Sequence, residues 1–155
     1  MPKCTILVGV PGSGKSTWLQ QQNVDRGVVA STDNVIQYLG DHFGFEYNEI
    51  FSETIRFADM VMVRRMIYNA ECGRDIYVDR TNMSEKSRRQ FINKLKKYGY
   101  EFECVVFPTP EPEEWQRRLN SRPGKTIPQE AIDRMVNSYE IPLESEGFSK
   151  ITVIK

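Results

Sequence analysis

The sequence predicts an α/β domain of three layers: a five-stranded parallel sheet, helices on both its faces, and a helical lid toward the C-terminus. Three observations predict it. A short apolar run, Thr5-Ile6-Leu7-Val8, leads directly into the glycine-rich segment Gly9-Val10-Pro11-Gly12-Ser13-Gly14-Lys15-Ser16. Strand-length apolar runs then alternate with segments of helical period. A basic stretch from Arg117 to Lys125 is interrupted by Pro123-Gly124.

Taken in order, strands are expected at about 3–8, 27–31, 75–79, 101–107 and 150–154. Val28-Val29-Ala30, Ile76-Tyr77-Val78 and Cys104-Val105-Val106-Phe107 are short and mostly apolar, as buried parallel strands are. A short helix runs from about Lys15 through Gln22, and a second from about Asp33 to His42. A long helix covers about 48–72, where Phe51, Ile55, Ala58, Met62 and Met66 recur in steps of three and four. Gly73 is placed to end it. Further helices are expected at 84–97, 111–121 and 128–138. The 155 residues suit one domain, 1–155, with the lid at about 117–127.

Charge is balanced, 21 basic against 21 acidic residues, which excludes a general nucleic-acid coat. Cys4, Cys72 and Cys104 lack metal-type spacing; with no signal peptide, they suggest a reducing, cytoplasmic setting. No apolar run is long enough to cross a membrane. His42 is the only histidine, so neither a triad nor a histidine metal site is expected. Trp18 and Trp115 read as packing residues.

The segment from Gly9 to Ser16 is a complete phosphate-binding loop, and Thr17 follows it. Glycines let the backbone curl until several N–H groups point into one hollow that accepts a polyphosphate. Lys15 reaches β- and γ-phosphates, the Ser16 hydroxyl ligates Mg²⁺, and the following helix adds its positive dipole end. The three-layer arrangement is therefore that of a P-loop NTPase fold, with ATP and Mg²⁺ as its ligands.

In such sheets ligands sit beyond the carboxyl ends of the strands. Asp33 follows the second strand there, either as the base for an attacking hydroxyl or as a helix cap. Asp79 ends the third strand and suggests a carboxylate near Mg²⁺ or its waters. Arg80, Thr81 and Asn82 come next, with Asn82 or Ser84 also able to cap the helix that follows. Arg118 and Arg122 are four apart and suit the charge that develops in phosphoryl transfer. Pro123-Gly124 looks like a hinge for a lid over ATP. Arg117 and Lys125 read as solvated charges at a helix end.

Together these motifs resemble the kinase domain of phage-type polynucleotide 5′-hydroxyl kinases and related repair kinases. The shared features are Gly-x-Pro-Gly-Ser-Gly-Lys-Ser-Thr, the Ser-x-Asp ending at Asp33, Asp-x-Thr-Asn from Asp79, and the Arg118/Arg122 pair before Ile-Pro. They span about 3 to 141. The resemblance implies transfer of the ATP γ-phosphate to the 5′-hydroxyl of DNA or RNA. In it Lys15 and Ser16 hold phosphates and Mg²⁺, Asp33 activates the hydroxyl, and Arg118 and Arg122 are the lid arginines. Asp79, Arg80 and Asn82 fall on its acceptor side. One departure is Ile36, where the phage enzyme has an arginine that grips an acceptor phosphate. Arg56, Arg64, Arg65 or Arg80 could compensate. The departure keeps other readings open: a kinase of a small hydroxyl substrate such as a nucleoside or sugar, a kinase of a modified base in DNA, or a non-catalytic nucleotide switch.

Overall fold

The computed structural model describes residues 1–155. Its sheet has the order β2-β3-β1-β4-β5, formed by Lys3–Val8 (β1), Val29–Ala30 (β2), Ile76–Asp79 (β3), Glu101–Val106 (β4) and Phe148–Val153 (β5). Every pairing is parallel, with Cys4 opposite Ile76 and Phe102, and Leu7 opposite Asp79 and Val105. The helices are Lys15–Gln21 (α1), Thr32–Phe43 (α2), Tyr47–Glu71 (α3), Glu85–Leu95 (α4), Pro112–Asn120 (α5) and Gln129–Asn137 (α6).

Alternation along the strands builds the layers. Cys4, Ile6 and Val8 face one side of the sheet, where Met62, Met66 and Ala70 of α3 and Phe91, Ile92 and Leu95 of α4 cover them. Leu7 and Val105 face the other side and pack with Leu19 of α1 and with Phe107. Trp18 is part of that second layer, edge-on to Phe107 at 6.0 Å. A third cluster, Val35, Ile36, Tyr47 and Ala58, holds α2 against the first half of α3. Cys4 and Cys104 are buried thiols and Cys72 is exposed.

The second strand is shorter than the sequence suggests. Asp25 accepts a bond from the Gly27 N–H at 2.7 Å and closes a 3₁₀ turn over Arg26–Val28, so pairing begins only at Val29. The apolar stripe of α3 is also incomplete. Ala58, Met62 and Met66 are buried, but Phe51 is 40% exposed, on the first turns of α3, which pack against α2. There it packs on Tyr47, with ring centroids 5.4 Å apart.

The turn after β3 is held by a buried ion pair. Arg88 of α4 is fully buried and forms two bonds to the Glu146 carboxylate, at 2.8 and 3.0 Å. Its Nη1 also donates to the carbonyls of Asn82 and Met83. That network fixes the backbone just past Asp79. No helix is long and apolar enough to cross a membrane.

Candidate active site

Parallel strands deliver their loops to one edge, and the phosphate-binding loop leaves from the central strand of the sheet. Gly14, at φ 101°, is the residue that turns the loop into α1, a conformation a side chain would strain. Four of the loop carbonyls are held by side-chain donors. Lys15 Nζ donates to the carbonyls of Gly9 and Val10, each at 2.9 Å. Trp115 Nε1 donates to the Pro11 carbonyl at 2.8 Å, and Arg118 Nη1 to that of Gly12 at 3.0 Å. With its oxygens turned to these donors, the loop leaves the first N–H groups of α1 for an anion. Trp115 therefore packs, as the sequence suggests, and also clamps α5 onto the loop.

Lys15 is the cation most altered by its surroundings. Burial pushes its pKa down to about 8, against the pull of Asp79 and with the repulsion of Arg122. Ser16 and Thr17 are exposed at the start of α1. Two buried side-chain polar atoms lack a partner, Ser13 Oγ and Arg122 Nη1. Both belong to segments expected to hold ATP, and an unpaired buried donor is costly unless something fills its place. A polyphosphate fits that requirement. No cluster of three or more His, Cys, Asp or Glu side chains forms a metal site. The donors present, the Ser16 hydroxyl and the Asp79 carboxylate within electrostatic reach of Lys15, suit an ion shared with phosphate oxygens, as Mg²⁺ commonly is.

Arg118 stands on α5, steered by Glu114, whose Oε1 it meets at 2.8 Å. Bonds from Arg117 and Arg118 hold the Glu114 carboxyl down at about 2. Arg117 itself is 70% exposed. Arg122 lies in the loop after α5.

Asp33 occupies the first turn of α2. Ser31, not Asp33, caps that helix, accepting from the Asn34 N–H at 3.2 Å. The Asp33 carboxylate is thereby released from capping and remains 55% accessible. Tyr47 donates its hydroxyl to Asp33 Oδ1 at 2.6 Å, and Lys125 Nζ meets Oδ2 at 2.8 Å. The packing around Asp33 favours the neutral acid. Lys125, by charge and hydrogen bond, then Tyr47 and Arg122, outweigh it and hold the carboxyl below its usual range. Asp79 behaves in the opposite way: burial raises it, and Lys15 only partly offsets that.

Four of the residues that the sequence singles out are thus within electrostatic reach of one another: Lys15, Asp33, Asp79 and Arg122. Others are placed elsewhere. Asn82 has a left-handed backbone, φ 48°, and is 3% exposed. Its carboxamide nitrogen donates to the Leu7 carbonyl at 2.7 Å and to that of Arg80 at 3.3 Å, so it braces the turn. Ser84 caps α4. Arg80 points toward Asp59 at 3.9 Å, which in turn accepts from Thr32. Ile36 is fully buried in the α2–α3 cluster. Phe43 and Phe45 are exposed, whereas Tyr47 is buried under Asp33.

Lys125 corrects the sequence reading. It is not a solvated helix-end charge: its side chain is 12% exposed, ion-paired to Asp33, and 4.3 Å from the centre of the Tyr47 ring. Nor does the sequence point to Tyr47 as a partner of Asp33. That carboxylate lies 14 residues from Tyr47 and 92 residues from Lys125, so neither pairing leaves a local pattern.

Solved structures of other proteins share this architecture. A candidate kinase from Chloroflexus aurantiacus superposes with a TM-score of 0.71 at 15% identity, over 99% of this chain and 87% of that one. Kti12 of Chaetomium thermophilum, solved with ADP-AlF3, gives 0.60 at 13% identity, over 98% and 88%. A chain of the Pnkp1/Rnl/Hen1 RNA repair complex gives 0.66 at 26% identity, over 88% of this chain and 43% of that one. The present chain thus spans under half the length of that repair protein. The fold is that of P-loop kinases. Residues 5–142 match the model of the AAA domain family, and with the phosphate-binding loop at the head of that stretch, the chain belongs to this family.

Proposed function

We propose that this chain is an ATP-dependent polynucleotide kinase that phosphorylates the 5′-hydroxyl of a DNA or RNA end, of the phage type and suited to nucleic-acid repair. The observation that carries this reading is Asp33. Its carboxylate is free of capping duty, accessible, and set beside Lys15 and Arg122 at the end of the sheet where a polyphosphate fits. The 26% identity to a chain of an RNA repair complex supports a nucleic-acid acceptor.

Asp33 accepts the proton of the acceptor hydroxyl while that oxygen bonds to the γ-phosphorus. The bond from this phosphorus to the β–γ bridging oxygen breaks, and ADP departs. In this reading Lys15 and Arg122, joined by Arg118 once it leaves Glu114 and the Gly12 carbonyl, neutralise the charge that spreads over the transferring oxygens. Ser16, with Asp79 through water, would hold Mg²⁺, which would supply further neutralisation of the phosphates.

A second reading is favoured by Ile36. Its burial removes any side chain at that position from the acceptor, so a phosphate next to the reacting hydroxyl is not gripped there. A small hydroxyl substrate, or a modified base in DNA, needs no such grip. Incubation with γ-labelled ATP separates the readings. The expected product is a labelled 5′-phosphate on a 5′-hydroxyl oligonucleotide. Label on free nucleosides or sugars alone would replace the acceptor class, and ATP binding with no transfer to any acceptor would favour a nucleotide switch.

A further inference from the structure

The loop between α5 and α6 is tied to the acceptor side of the site at three points. The Gly124 carbonyl accepts from the Asn48 N–H at 3.1 Å. The Asn48 side-chain oxygen accepts from the Thr126 N–H at 3.2 Å. Between them Lys125 reaches Asp33 Oδ2 at 2.8 Å while lying 4.3 Å from the Tyr47 ring centre. Gly124 makes this close seating possible. Its φ is 66°, and a Cβ there would come within 2.9 Å of the Glu46 side chain. The segment 124–126 is therefore a strap laid over the N-terminus of α3, and Lys125 is its inward-facing side chain.

Three residues before Lys125 in the same loop is Arg122, whose buried Nη1 has no protein partner. One short stretch of chain thus carries both a cation with an unpartnered buried donor and a cation fastened to Asp33. Tyr47 completes the arrangement from α3 by holding the other carboxylate oxygen at 2.6 Å. A carboxylate gripped at both oxygens cannot swing about its side-chain torsions, and each oxygen keeps a lone pair for an incoming hydroxyl.

We infer that Lys125 and Tyr47 are positioning residues for the base, a two-point clamp through which the Arg122-bearing loop sets the orientation of the Asp33 carboxylate. The inference rests on the kinase reading for its kinetic consequence, but the clamp itself is testable without turnover. Around Asp33 the charged and titratable groups are Lys125 and Arg122 from the loop, Tyr47 from α3, Lys15 from α1 and Asp79 from β3. Removing the Lys125 charge takes away a close cation that favours the carboxylate.

The test uses the full chain in two measurements. A carbon-detected NMR titration of the Asp33 carboxyl without nucleotide should show a midpoint below the usual aspartate range. In Lys125→Met the midpoint moves up, in Lys125→Arg it returns most of the way, and Tyr47→Phe raises it without changing the charge count. A midpoint unmoved in Lys125→Met overturns the clamp, whether or not the protein is a kinase. In turnover assays Lys125→Met should lower kcat by about tenfold or more while the ATP Kd stays within about twofold. The acid limb of kcat should move to higher pH with the NMR midpoint, and Lys125→Arg should recover most of the rate. An unchanged kcat and pH profile overturns the positioning role. Wild-type protein that phosphorylates no acceptor overturns the kinase reading, with the NMR titration still deciding the clamp.

Discussion

Lys15 shows how far its surroundings alter a single side chain of the phosphate-binding loop. Its ammonium rests on the Gly9 and Val10 carbonyls in a buried position, and that burial brings its pKa down to about 8. A polyphosphate supplies the negative charge that the buried ammonium lacks and raises that value. Binding of ATP at pH 8 should therefore take up a fraction of a proton. Calorimetry in buffers of different ionisation enthalpy reads this directly, and Lys15→Met should remove the uptake. Such residues differ in how far sequence reveals them. Lys15 is legible because the spacing of a phosphate-binding loop is local. Asp33 is legible because it follows a strand and precedes a helix. Lys125 looks like any surface lysine near a helix end, since the carboxylate that holds it is distant in sequence and meets it only through the fold. Asn82 is harder to read for a related reason: its place in an Asp-x-Thr-Asn pattern allows either a substrate contact or turn chemistry, and only the fold shows its amide nitrogen bracing the turn.

At the scale of elements, the central strands and long helices follow from apolar period; Ser84 caps α4 as the sequence allows, whereas α2 is capped by Ser31 and Gly44, which the sequence does not single out. β2 does not follow from that period, because one local bond from Asp25 converts its expected first residues into a 3₁₀ turn. Nor does the first half of α3, whose apolar residues cover α2 and Tyr47 instead of the sheet. The Arg88–Glu146 pair is likewise invisible in sequence, since its partners are 58 residues apart. It joins α4, the turn after Asp79 and the segment entering β5. Removing one member of a buried pair leaves the other uncompensated, so Arg88→Met should destabilise the fold by about 3–5 kcal/mol in chemical denaturation. The pH dependence has a definite sign. Burial raises the Glu146 carboxyl, but bonds from Arg88 and the Leu143 N–H outweigh it and leave the folded value depressed. The stability it contributes is present above the ordinary glutamate range and is lost as pH falls through that range to the folded value. Wild-type protein should therefore lose that increment on acidification, and Arg88→Met should show less of it.

For the whole molecule, the strand order explains why residues from four separate segments meet. β1 lies next to β3, and β3 next to β2, so the loops that follow them place Lys15, Asp79 and Asp33 along one edge. The loop between α5 and α6 then closes over that edge with Arg122 and Lys125. The fold class is legible from strand–helix alternation and the glycine loop, and so is the edge at which Lys15, Asp33 and Asp79 come within electrostatic reach. The acceptor is not, because its recognition depends on which side chains the α2–α3 pair and the strap turn inward. Ile36 illustrates this: in sequence it is a missing arginine, in the fold a core residue. The proposed base at this edge, Asp33, makes a demand that a nucleotide-binding module does not. The direct measurement compares wild type with Asp33→Asn for single-turnover transfer from ATP to a 5′-hydroxyl oligonucleotide, with ATP affinity determined on the same samples. Transfer should fall by about 10²–10⁴-fold while ATP affinity is unchanged. Transfer by Asp33→Asn at the wild-type rate would contradict the assignment of Asp33 as the base.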